Sequence, residues 1–122
     1  PCLPGVRKLF VDVSGTFFPC ERVSETSEHM KIGNIEEGFY KEKILRLLNI
    51  GKLTENECKK CWGIRFCGQC CATADDYTNL SSVTRLQGCR RSLLMAEEML
   101  KNYCFLREHG YSFQNDDTKF IR

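Results

Sequence analysis

Hydrophobic and polar positions first organise around residues 9–18. Leu9, Val11 and Val13 alternate with Phe10 and Asp12, the period of a half-buried strand. Ser14-Gly15 supplies a two-residue turn, and Thr16-Phe17-Phe18 returns as the second strand. Pro19 ends the ladder because it has no amide to donate. This register puts Val13 opposite Thr16 and Cys20 opposite Leu9. Pro4-Gly5 folds the preceding chain back, so Cys2 and Cys20 are expected at the same end of the hairpin.

Residues 21–38 are polar and rich in turn formers, and the pattern predicts a long loop. A short helix is expected over about residues 38–49, with Tyr40, Ile44, Leu47 and Leu48 at helical spacing and Gly51 as the stop. Thr54 with Glu57 three residues on forms a capping box, which predicts a brief helical turn leading into Cys58. The segment 58–71, dense in cysteine and glycine, is expected to be irregular. Cys89, Leu93, Ala96, Leu100 and Tyr103 then recur at four-then-three spacing. They predict a long helix over 88–108 that lies along a core and ends at Gly110.

Composition narrows the class. The chain has 122 residues, enough for one domain and too few for two ordinary ones. A hydrophobic content of 42%, a charged content of 28% and three prolines exclude a disordered tail and a fibrous repeat. No apolar run reaches the ~18 residues of a membrane span, and no basic-then-apolar leader opens the sequence. The net charge of +2, without a basic stripe, argues against a nucleic-acid binder.

Cysteine changes the picture most. There are nine, and Cys58, Cys61, Cys67, Cys70 and Cys71 crowd into residues 58–71. An odd count without a secretory leader disfavours a disulfide framework, and isolated core thiols rarely cluster. Metal ligation fits best. Cys58-Lys-Lys-Cys61 lets two thiolates converge while the intervening amides face sulfur. A zinc ribbon would separate its two pairs by ~15–20 residues, and here the next cysteine follows far sooner. Adjacent side chains diverge, so Cys70 and Cys71 are not expected on the same iron or zinc.

In order, the chain reads Cys2-x12-Gly15-x4-Cys20, a gap, Cys58-x2-Cys61-x5-Cys67-x3-Cys71, a second gap and Cys89. This resembles the seven-cysteine signature of the SPASM domain, the C-terminal auxiliary-cluster module of radical S-adenosylmethionine peptide and protein maturases. The stretches "LFVDVSGTFFPCERV" and "CWGIRFCGQC" look most like the subgroup that modifies small cysteine-rich peptides. The resemblance implies two [4Fe–4S] clusters. Cys2, Cys20 and Cys71 would serve the first, and Cys58, Cys61, Cys67 and Cys89 the second. The family often places a fourth ligand for the first cluster a few residues ahead of the position of Cys2. Either that ligand precedes Pro1 in a longer chain, or the cluster keeps an open iron.

Other residues are weighed against these. Cys70 is read as an alternative ligand or a free thiol, and Cys104, ~22 Å along the helix from Cys89, as core. Trp62, Ile64 and Phe66 are expected to pack around the cysteines and keep the site dry. His29 and His109 read as solvated rather than metal-bound. Arg85, Arg90 and Arg91 read as a solvated group at a helix start that could also contact an acidic peptide. Asp75-Asp76 lacks a partner for acid–base work. No C-x3-C-x2-C loop is present to bind S-adenosylmethionine, so this chain alone is not expected to cleave it.

The expected fold is a small α+β, metal-stabilised domain over residues 1–122: a β-hairpin, a cysteine-rich knuckle and a C-terminal helix. The expected function is that of a cytoplasmic iron–sulfur domain from a larger radical enzyme. Its implied partners are a precursor peptide, a preceding radical S-adenosylmethionine domain and an external electron donor or acceptor, with no nucleic acid and no membrane. The competing reading is a zinc-stabilised protein-binding module. It would use Cys58, Cys61, Cys67 and either Cys70 or Cys89 for one ion, and would leave Cys2 and Cys20 idle. Zinc could also enter thiolate sites meant for iron.

Overall fold

In the computed structural model, which describes residues 3–113, the N-terminal hairpin is the first half of a four-stranded antiparallel sheet. Strands β1 (Phe10–Val11), β2 (Thr16–Phe18), β3 (Gly33–Asn34) and β4 (Gly38–Phe39) lie in the order β1-β2-β3-β4. The helices follow: α1 (Lys41–Leu48), α2 (Glu55–Lys59), α3 (Ser82–Gln87) and α4 (Cys89–Glu108). Short 3-10 turns at Ile50–Thr54, Ile64–Phe66 and Cys71–Ala74 link them. The architecture is mixed α+β, with the strands gathered at the N-terminal end. No described helix is long and apolar enough to cross a membrane.

The β1–β2 register differs from the expected one by a residue. Phe10 pairs with Phe18 and Val11 with Phe17, so the loop is Val13-Ser14-Gly15. The cause is the Asp12 side chain. Its Oδ1 accepts from the Ser14 amide (2.9 Å), the Ser14 hydroxyl (2.8 Å) and the Thr16 amide (2.8 Å), which ties the longer loop shut. Those same donors hold the Asp12 carboxyl below its ordinary pKa, the Thr16 amide most strongly. Gly15 sits at φ +81°, a left-handed conformation that favours glycine. In this register Cys20 falls opposite Lys8 rather than Leu9, and Pro4 bridges to Lys8, so the chain does fold back toward Cys20.

Residues 21–38 are not a featureless loop. Met30 and Ile32 are fully buried and join Phe18, Leu47, Ile50, Ala74 and Leu80 in the core. Gly33 and Gly38 carry no side chains to display an alternating pattern, and strands of two residues are too short to show one. The loop is fastened to a segment 48 residues further along the chain by the buried Ser27 hydroxyl, which donates to Asp75 Oδ1 (2.9 Å).

Helix α1 forms inside the expected span but starts at Lys41, because Gly38 and Phe39 belong to β4, and it buries Leu47 beside the partly buried Ile44. Helix α4 also appears as predicted. It ends in a reciprocal cap, with the Tyr111 amide donating to the Leu106 carbonyl (2.9 Å) and the Gly110 amide to Arg107 (3.1 Å). Its apolar stripe is covered only in the first turns. Ala96 is buried, but Leu100 is 37% and Tyr103 50% exposed. A 20-residue helix spans ~30 Å and outruns the small body beneath it. Cys104, expected in the core, is consequently exposed.

Candidate metal centre

Two cavities are walled by cysteine. The larger, about 320 Å³, is lined by Cys58, Cys61, Cys67 and Cys89 together with Trp62, Gly63, Ile64, Leu86 and Leu93. The second, about 200 Å³, is lined by Cys20, Cys70 and Cys71 with Pro4, Pro19, Leu47, Leu48 and Ile50. Gln69 and Arg85 border both cavities and lie between them.

Each thiol of the larger cavity arrives on a different element. Helix α2 carries Cys58, and the Cys61 amide closes the turn by donating to the Cys58 carbonyl (3.1 Å). Cys67 ends the 3-10 turn at Ile64–Phe66, and Cys89 opens α4. The knuckle can lie against α4 because residue 63 is glycine, where an added Cβ would stand 2.8 Å from Leu93 Cδ2. Cys67 and Cys70 share a C-x2-C spacing, yet the chain turns between them and sends them to different cavities. For the single-ion reading, this leaves Cys89 and removes Cys70 as the fourth thiol.

Thr54 does not act as the expected capping side chain. It makes no cap hydrogen bond; instead its buried hydroxyl accepts from Arg85 Nε (3.2 Å) and lies 3.3 Å from Cys58 Sγ. With an oxygen lone pair engaged by Arg85, the hydroxyl proton is free to point at sulfur. At the opposite wall, Gln69 Nε2 donates to Cys89 Sγ (3.7 Å). Both contacts place hydrogen-bond donors where ligating thiolates need them.

Arg85 departs most from expectation. Rather than lying in solvent, it is 8% exposed. It donates to Thr54 Oγ1, to the Cys70 carbonyl (2.9 Å) and to Thr73 Oγ1 (3.4 Å). These acceptors are all neutral, and among the described residues no carboxylate pairs with it. A buried guanidinium without a counter-charge is costly. Groups of thiolates on both sides would supply that charge.

In the second cavity, the Cys70 thiol is held below the ordinary thiol range by the adjoining Cys71 thiol, by the Ala72 and Thr73 amides and by Arg85. Cys71 is pushed the other way by the same contact with Cys70, by burial and by the nearby Cys70 and Cys20 sulfurs. Cys20, Cys70 and Cys71 line this one cavity. The sequence separated Cys70 from Cys71, but the structure turns both to the same cavity. Cys2 lies outside the described residues.

Among the described residues, no three His, Cys, Asp or Glu side chains gather closely enough to hold one metal ion. Tetrahedral zinc, with Zn–S near 2.3 Å, draws its sulfurs to within about 4 Å of each other. The larger cavity is lined by four cysteines, with Glu57 also at its wall, and four cysteine thiolates are a ligand set that an iron–sulfur cluster takes. The donor set fits that group.

The remaining candidates are structural. His29 Nε2 donates to the Thr78 carbonyl (2.6 Å), and His109 Nδ1 hydrogen-bonds the Phe105 carbonyl (2.8 Å). Asp76 Oδ1 accepts from the Thr78 and Asn79 amides at 2.9 and 2.6 Å, closing a turn. Arg90 and Arg91 are exposed. Trp62, Ile64 and Phe66 are 58%, 49% and 41% exposed, so they rim the cysteine region rather than pack as core. No family model matches the chain, and no curated protein or solved structure matches it either.

Proposed function

We propose that this chain is an iron–sulfur domain that carries two [4Fe–4S] clusters, and that it serves as the C-terminal auxiliary domain of a radical S-adenosylmethionine maturase acting on a ribosomal peptide. The observation that carries this reading is the gathering of Cys58, Cys61, Cys67 and Cys89 around one apolar cavity, while Cys20 and Cys71 line another. Those are members of the two ligand groups that the resemblance implies, in which Cys2 is the third cysteine of the first group. When bound, such clusters supply one-electron transfer or an iron that takes up substrate.

The chain's own residues hold and tune that site. Thr54 and Gln69 reach the Cys58 and Cys89 sulfurs, Arg85 sets a positive charge between the cavities, and Leu86 and Leu93 keep the larger cavity apolar. In this reading the precursor peptide, a preceding radical domain and an external electron carrier are the partners, and the cytoplasm is the compartment. The zinc-stabilised binding module is the outcome to exclude.

The test is iron, sulfide and zinc content per chain after anaerobic purification and reconstitution. About eight irons and eight sulfides support two clusters. About four of each means that only one cavity is filled. A single zinc that survives competition with iron and sulfide, without cluster absorbance, overturns the redox reading.

A further inference from the structure

We propose that Cys70 is a ligand of the first cluster, alongside Cys20 and Cys71, and closes the coordination that the seven-cysteine pattern leaves one short. The inference rests on the iron–sulfur reading above and adds a residue that the pattern does not include. Two observations support it. Cys70 lines the smaller cavity with Cys20 and Cys71 and is absent from the wall of the larger one. Its backbone is pinned, because its carbonyl accepts from Arg85 Nη1 (2.9 Å), Thr73 Oγ1 (2.7 Å) and the Thr73 amide (3.3 Å).

Neighbouring residues are poorly placed to converge on a single ion. A four-iron cube removes that objection, since each thiolate takes its own iron. The extended backbone at Cys70 (φ −122°, ψ −166°) gives way to a 3-10 turn at Cys71. This break in direction lets consecutive side chains approach one cavity from different angles. Cys70 would join Cys20 and Cys71 on that cluster, and Cys2 enters the set only through the resemblance.

The experiment compares the reconstituted 122-residue chain with Cys70→Ala, Cys70→Ser and Cys104→Ala. Iron and sulfide are counted, and the reduced clusters are followed by electron paramagnetic resonance with and without added cyanide, a ligand for an open iron. The expected result is that the unaltered chain and Cys104→Ala hold two clusters whose spectra ignore cyanide. Cys70→Ala should keep the second cluster and either lose the first or hold it with a cyanide-sensitive signal. If Cys70→Ala loses both clusters, Cys70→Ser decides: a shifted first-cluster signal supports ligation, and an unshifted one overturns it. Two cyanide-insensitive clusters in Cys70→Ala overturn the inference while leaving the iron–sulfur reading intact, as does an unaltered chain whose first cluster already responds to cyanide. An unaltered chain without iron and sulfide overturns both.

Discussion

The sheet end of the molecule and its cysteine end use apolar side chains in opposite ways. Around the sheet, Phe18, Met30 and Ile32 are fully buried, and Leu47, Ile50, Ala74 and Leu80 close over them. From Cys58 onward, Trp62, Ile64 and Phe66 stay largely exposed, and α2 buries no residue. What this end does bury is polar or small: Thr54, Arg85, Gly63 and Ala96. One half is held by transfer of hydrocarbon out of water. The other encloses a thiol-lined space and a buried arginine with no carboxylate partner among the described residues, and on the proposed function its shape would depend on the clusters bound there.

On the proposed function, the largest effect that separates the two halves is removal of the clusters. Structural metals contribute about 10–16 kcal/mol in small zinc domains, comparable to the whole stability of an ordinary fold. Chelation should therefore raise amide exchange over residues 55–96 by tenfold or more, with a smaller change at Phe17 and Phe18. Uniform loss of protection along the chain would remove the distinction.

Next comes Phe18→Ala, which empties the centre of the sheet core and should cost about 3–5 kcal/mol. Urea unfolding reads this, and iron per folded chain should stay unchanged. Smaller still is Arg85→Met. In the loaded chain it should cost about 1–3 kcal/mol, through loss of hydrogen bonds and counter-charge, and should shift the cluster potentials to more negative values in voltammetry. In the metal-free chain the same change should be neutral or stabilising, because it removes an uncompensated buried charge. Equal destabilisation in both states would deny that Arg85 faces negative charge. Leu100→Ala, on the uncovered half of α4, should change stability by less than about 0.5 kcal/mol in the same urea titration.

These contrasts also explain what could be read in the sequence. Helix α4 and its stop were legible because a long helix repeats its pattern over many turns, and Gly110 punctuates it. The hairpin was legible, but its register was not, because the Asp12 side chain closes a three-residue loop that alternation alone cannot distinguish from a two-residue one. Met30 and Ile32 were hidden among turn formers, next to strands of two residues. In the site, the resemblance grouped Cys58, Cys61, Cys67 and Cys89, and in the structure these four line the larger cavity. Cys70 and Arg85 were misjudged for a shared reason: direction and burial depend on the fold around them. A basic residue beside Cys89 has the same local pattern whether it faces water or two cavities, and the buried Thr54 hydroxyl that receives Arg85 lies 31 residues away.

The central claim is that the cysteine-lined cavities hold clusters rather than single ions. X-ray absorption at the iron and zinc edges of the anaerobically reconstituted chain tests it most directly. The account predicts iron surrounded by sulfur together with a clear iron–iron scattering shell, which is diminished when Cys61 is replaced by alanine. A single zinc or iron surrounded by thiolates, with no metal–metal shell, would contradict it.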